Sequence, residues 1–334
     1  VLAQSRPDDK VEPASLTKLM TAYLTFKSLK NGQLKPNQAV PVSVAAWKTG
    51  GSKMFIAPDK PVTVDELIRG MIIQSGNDAC VALAEAIAGS EAAFAQMMNT
   101  EAKRLGMSGT QFRNSTGLTE DGHYTTARDL AILARALIHD FPEYYPLYST
   151  LDYTYNGIKQ GNRNRLLTMD RSVDGMKTGH TDAAGWCLVS SAKREDRRVV
   201  SVLLGAPNEK GRIESSATLL NYGFNAWENA RLASAEEVLA TPAVYKGAAA
   251  SVQVGTADDA VVTVPRGQAG KVTREIVITT PVIAPIAVGQ QLGTLKVAID
   301  GKPAGEYPLV AKVAIDEGGF FRRIWDTIRL WLGL

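Results

Sequence analysis

The chain is poor in the residues on which several kinds of chemistry depend. Two cysteines in 334 residues, Cys80 and Cys187, cannot staple a chain of this length, and both are expected in the core as small apolar residues. Its three histidines, His123, His139 and His180, show no HExxH or other metal-ligand spacing, so neither a metal nor a cofactor is expected. An excess of charge of one sign is missing too. Lysine and arginine number 37 against 34 acidic residues, and the one dense basic run, Lys193 to Arg198, is interrupted by Glu195 and Asp196. This balance gives nucleic-acid binding no electrostatic support. No apolar run approaches the ~20 residues that a membrane-spanning helix needs. What is present is ordinary globular composition, 45% hydrophobic and 21% charged, in a chain long enough for about two domains.

Up to about residue 230, helical and strand patterns alternate. Leu16, Leu19, Met20, Tyr23 and Leu24 recur at helical spacing behind Pro13, which predicts a helix from close to Ser15. Thr63 with Glu66 is a capping-box signature for a helix running to Gln74, which Ser75-Gly76-Asn77 then breaks. Asp78 to Ala88 and Glu91 to Leu105 read as helices stopped by Gly89 and Gly106, and Thr126 with Asp129 starts another. Strand patterns follow at Tyr153 to Tyr155, Gly185 to Ala192 and Val199 to Gly205, the last two joined by a charged turn over Lys193 to Arg198. A helix from Arg212 to Trp227 closes this domain, 1–231. Short β-patterned runs between Pro and Gly turns mark a second domain, 232–316. Residues 317–334 form a third segment, which Gly318-Gly319 is expected to detach. In it Phe320, Phe321, Ile324, Trp325, Ile328, Trp331 and Leu332 share an arc of about 140° at ~100° per residue, with Arg322, Arg323 and Arg329 opposite.

Three short motifs carry chemistry. Ser15 and Lys18, three apart at a helix start, place hydroxyl and ammonium on one face. A serine hydroxyl is a weak nucleophile until a base takes its proton, and a lysine serves when its pKa falls toward ~7 to 8. The spacing alone is weak evidence. Ser190 and Lys193 match it as well, but in a strand, whose period of two sends them to opposite faces. Ser75-Gly76-Asn77 sits at a helix break, where short polar side chains can project into a cleft. Lys-Thr-Gly occurs at Lys48-Thr49-Gly50 and at Lys177-Thr178-Gly179, and only the second leads into a strand. There an edge strand can pair with an extended substrate while cation and hydroxyl hold a carboxylate.

The order S-x-x-K, S-x-N, K-T-G is the set of penicillin-binding proteins and class A β-lactamases. The longer stretches Pro13-Ala14-Ser15-Leu16-Thr17-Lys18, Gln74-Ser75-Gly76-Asn77-Asp78-Ala79 and Asp174-Gly175-Met176-Lys177-Thr178-Gly179-His180 closely resemble the low-molecular-mass penicillin-binding proteins of Gram-negative bacteria. These are D-alanyl-D-alanine carboxypeptidases of the penicillin-binding protein 5 and 6 type. The resemblance implies an α+β fold: a transpeptidase-like catalytic domain with an antiparallel sheet and a helical block, then a small all-β domain and an amphipathic C-terminal helix. It implies Ser15 as acylated nucleophile, Lys18 as its base, Ser75 as proton relay and Asn77 as a contact for the peptide amide. Lys177, Thr178, Gly179 and His180 would line the opposite wall, Arg212 would receive the substrate's terminal carboxylate, and the Ser15 N–H would belong to the oxyanion hole. The implied partners are peptidoglycan pentapeptide, β-lactam antibiotics and the inner-membrane phospholipid surface, the last met by Phe320, Phe321, Arg322, Arg323, Trp325, Arg329 and Trp331. The implied compartment is the periplasm. Family members carry a signal peptide and one more strand ahead of the stretch resembling Val1 to Lys10. Two other functions compete. A class A β-lactamase needs a Glu-x-x-x-Asn loop, but Glu143 is followed four residues on by Leu147. An inactive cell-wall scaffold would not need the intact catalytic set.

Overall fold

The computed structural model describes residues 1–332; Gly333 and Leu334, the end of the expected anchor segment, lie outside the described residues. Two compact units divide between Gly223 and Phe224. The first is built around the helix Lys18–Lys30, preceded by a 3-10 turn, Ala14–Thr17. Leu19, Met20, Ala22, Tyr23, Leu24 and Phe26 are buried on all sides of this helix. A helix that is apolar all round belongs in a core. That placement buries Lys18, its first residue, to 1% exposure.

Four helices surround it: Val64–Ile73, Asn77–Ala88, Glu91–Leu105 and Ala127–Asp140. Their ends follow the sequence signals. Thr63 and Glu66 make the reciprocal capping box, Ser90 and Thr126 cap the third and fourth, and Gly89 and Gly106 close their helices at φ 77° and 83°. The antiparallel sheet has Val173–Thr181 at one edge, Gly185–Arg194 in the middle and Arg197–Ala206 at the other edge. The turn is tighter than the charge run suggests. Lys193 pairs with Arg198 and Arg194 with Arg197, which leaves only Glu195 and Asp196 to turn. Ser190 is buried and hydrogen-bonded to Ser201 while Lys193 is exposed, as period two requires. Cys80 and Cys187 are both free and buried.

The helix expected over Arg212 to Trp227 runs instead from Glu209 to Asn225. Trp227–Ala233 is a strand of the second unit, paired with Ala260–Pro265. The second unit therefore starts before Leu232, because a strand partner over thirty residues downstream overrides the local helical pattern. Its main sheet is antiparallel in the order Val254–Thr256, Lys302–Ala311, Gln291–Ile299, Val272–Ile278. Val254, Leu295, Val297 and Leu309 form part of its core.

The C-terminal helix, Phe320–Leu332, belongs to this second unit, and Gly318 does not detach it. The Gly318 N–H donates to Lys246 O at 2.7 Å, and a Cβ at Gly318 would lie 2.7 Å from Gly247 O. This is a close-approach glycine rather than a hinge. The helix docks by its polar face: the buried Asp326 accepts the Lys246 N–H at 2.6 Å, Arg322 donates to Ala249 O, and Arg329 lies over the Tyr245 ring. The apolar arc is left facing outward, with Phe321 and Trp331 each 85% exposed. Among the described residues no helix is long and apolar enough to cross a membrane.

Candidate active site

Ser15 lies in the 3-10 turn that leads into the core helix, and two glycines allow other segments to close on that turn. A Cβ on Gly179, in the edge strand, would lie 3.1 Å from Pro13 O and 3.3 Å from Ala14 Cβ. One on Gly117 would fall 1.7 Å from Ala14 O, at a left-handed φ of 85°. The edge strand and the loop Asn114–Leu118 can thus reach the Pro13–Ala14 backbone beside Ser15 only because neither carries a side chain there.

Lys18 Nζ donates to Ser15 Oγ at 3.0 Å, Asn77 Oδ1 at 2.7 Å and the Thr116 carbonyl at 2.6 Å. These three acceptors match the three donors of an ammonium. The loop that supplies Thr116 O is itself fixed by Asn114, whose Oδ1 accepts from Thr116 and Gly117 N–H. Burial pushes Lys18 down to about 8; Arg163 pushes the same way, against Cys80, Asp78 and Glu91. A lysine there retains a proton in the resting site but can release it near neutral pH.

Ser75 follows the helix Val64–Ile73 with φ 66°, and its buried Oγ has no partner among the described residues. Asn77 opens the next helix, and its Nδ2 donates to Gly50 O at 2.7 Å. The first Lys-Thr-Gly copy thus contributes a carbonyl to the site, though not its lysine. Lys177 and Thr178 are buried on the edge strand, and His180 at its end is exposed. Among the described residues Lys177 Nζ has one acceptor, Thr178 O at 3.0 Å. Burial first, then the charges of Lys18 and Arg163, drive it well below the ordinary lysine value. Among the described residues Lys18 has three acceptors against one for Lys177, which solvates a proton better on Lys18.

Arg212 sits near the start of the helix Glu209–Asn225, its guanidinium 5.0 Å from the Trp186 ring centroid and hydrogen-bonded to Glu209. Trp186 in turn packs against His180, ring centroids 4.2 Å apart. Trp186 was not singled out from the sequence, yet strand register could have found it, since it pairs directly with His180 across the hairpin. Behind the Ala14–Thr17 turn, the buried His123 reaches Thr17 Oγ1 through Nε2 at 3.0 Å, and burial holds its pKa down at about 4. It is a neutral support for the first turn of the core helix.

Comparison with known proteins is consistent along the chain. Residues 1–208 match the family model for D-alanyl-D-alanine carboxypeptidase, and residues 227–317 match that for the C-terminal domain of penicillin-binding protein 5. The D-alanyl-D-alanine carboxypeptidase DacC of Escherichia coli is 41% identical over 345 residues, covering 100% of this chain and 86% of that one. Penicillin-binding protein 5 of Haemophilus influenzae is similar in structure, with a TM-score of 0.86 and 39% identity over 95% of this chain and 94% of that one. Penicillin-binding protein D2 of Listeria monocytogenes, solved in its ampicillin-bound form, gives a TM-score of 0.62 and 33% identity over 67% of this chain and 91% of that one.

Proposed function

The chain belongs to the D-alanyl-D-alanine carboxypeptidase family, and from that membership we propose how its residues divide the work. It is a serine peptidase that releases the terminal D-alanine of peptidoglycan stem peptides through an acyl-serine intermediate. The observation that carries the assignment of roles is the lysine amine held between Ser15 Oγ and Asn77 Oδ1 in a buried site.

In the proposed cycle the peptide's terminal carboxylate arrives between Lys177, Thr178 and Arg212. An anion there favours protonated Lys177. That restored charge lowers the proton affinity of Lys18, since the two lysines act on each other. Neutral Lys18 then takes the Ser15 proton as Oγ bonds to the carbonyl carbon. The carbon–nitrogen bond breaks as Ser75 passes its hydroxyl proton to the departing D-alanine amine, and Lys18 hands the proton it took from Ser15 to Ser75, which leaves Lys18 neutral again. Water cleaves the acyl-serine with Lys18 again accepting a proton, and the Ser15 hydroxyl is restored. A β-lactam follows the first half and acylates the same oxygen. Catalysis resides wholly in residues 1–223.

Recognition of the free carboxylate supplies the test. Arg212→Ala is expected to lose about 10- to 100-fold in kcat/KM on a D-Ala-D-Ala peptide, and far less on its C-terminal amide, which lacks the charge. Release of D-alanine or D-alaninamide measures both. Equal losses would make Arg212 a support for Trp186 only.

We further propose that the helix Phe320–Leu332 rests in the surface of a lipid bilayer, with the enzyme on the periplasmic side of the inner membrane. Its outward apolar arc, rich in Trp and Phe, supports this reading. With Arg322 and Arg329 turned onto the protein and Arg323 paired with Glu317, attachment rests on apolar burial more than on headgroup charge. The chain is expected to float with neutral phosphatidylcholine vesicles as well as with anionic ones. The double variant Phe321→Glu, Trp331→Glu should lose at least ~100-fold in partitioning while releasing D-alanine normally. Unchanged flotation of that variant would exclude the helix as the anchor.

A further inference from the structure

Beneath the site, four backbone N–H groups converge on one buried carboxylate. Asp78 Oδ1 accepts from Met54 and Ala79, each at 2.9 Å, and Oδ2 accepts from Phe55 at 2.9 Å and Ile56 at 3.2 Å. The side chain is 0% exposed. A buried anion is tolerated only with such a set of donors. Three of these come from a single loop, in which Phe55 is held at φ 69°, a conformation disfavoured for a residue with a side chain. Gly76 makes room for the arrangement, because a Cβ there would lie 2.9 Å from Asp78 Oδ1 and 3.1 Å from Met54 N.

The gathered loop addresses Asn77. Ser52 O accepts the Asn77 backbone N–H, and Gly50 O accepts its Nδ2, each at 2.7 Å. With Nδ2 committed to Gly50, the atom left to face Lys18 is Oδ1, at 2.7 Å. The reversed amide would set N–H donors against an ammonium and a carbonyl against a carbonyl.

We propose that Asp78 is a positioning residue of the peptidase site: by gathering the loop through Ile56 it fixes which end of the Asn77 amide meets Lys18, and its buried charge keeps a proton on Lys18 until substrate arrives. This rests on the catalytic roles proposed above for Lys18 and Asn77. The charged and titratable groups acting on Lys18 are Asp78, Glu91 and Cys80, which favour its protonated form, and Arg163 with Lys177, which oppose it.

Two substitutions separate position from charge. Asp78→Asn keeps the size, removes the charge and turns an NH2 toward N–H donors; Asp78→Glu keeps the charge and moves the carboxylate by one methylene. The measurement is the rate of Ser15 acylation by a fluorescent penicillin across pH, with thermal unfolding alongside. The Asn variant should acylate at least ~30-fold more slowly, with its acidic limb displaced to lower pH by roughly half a unit or more. The Glu variant should be slowed while its limb stays at the parental pH. An Asn variant acylated within about threefold of the parental rate, or one slowed with an unmoved limb, would overturn the proposal. If the Asn variant does not fold, parental acylation by the Glu variant would overturn it equally, because the carboxylate's position would not matter. Failure of the unsubstituted chain to take penicillin at Ser15 would instead sink the catalytic reading, and that result is distinct from either.

Discussion

Ser15→Ala is expected to take no covalent label from a fluorescent penicillin, and to lose D-alanine release by at least ~10³-fold. Ser15 Oγ is the hydroxyl that Lys18 Nζ touches, at 3.0 Å, and the Pro13–Ala14 backbone just before it is what Gly117 and Gly179 allow other segments to approach. Ser75 Oγ is also buried close by in the motif set, but Lys18 has no hydrogen bond to it among the described residues. Mass spectrometry of the acylated parent should place the adduct on the peptide that contains Ser15. An adduct on Ser75 would reverse the roles of the two serines.

Lys18→Arg is expected to acylate about 10²- to 10⁴-fold more slowly than the parent, the range that a positioned general base contributes. A guanidinium keeps its proton at any working pH, so it can preserve charge and volume without acting as the base. In the parent, acylation should rise with pH through an apparent value near 8 and level off above it, because the neutral amine is the active form. That value belongs to Lys18 and Lys177 together, since each charge acts on the other. A substrate carboxylate at Lys177 would increase the neutral share of Lys18. An Arg variant with near-parental acylation would show that another group removes the Ser15 proton.

The contact between Ser15 and Lys18 was legible in the sequence because it is local: residues three apart along a helical turn face each other whatever the rest of the chain does. The capping box at Thr63 and the stops at Gly89 and Gly106 were legible for the same reason. What escaped depends on partners far away in sequence. Thr116 and Gly50 enter the site as carbonyls, which every residue has, so no side-chain pattern marks them. Trp227 continues a helical pattern yet pairs with Pro265 in a strand. Gly318 looks like a hinge in a sequence, and only the backbone lying against it shows that it is a contact.

The two glycines beside the Ser15 turn also bear on how such an enzyme can change under antibiotic selection. Any side chain at position 117 would collide with the Ala14 carbonyl, and one at 179 would press on Pro13 and Ala14. A lineage exposed to β-lactams is therefore expected to find these two positions closed to gradual variation, since the smallest step beyond glycine already crowds the backbone beside Ser15, the residue proposed to be acylated. Room for drift lies instead at the rim, at residues such as Leu118, which is 40% exposed and close to the Gly51 backbone. Substitution there can reshape what enters without moving the hydroxyl. Altered susceptibility in this enzyme is expected to accumulate at the entrance, while the turn around Ser15 remains invariant.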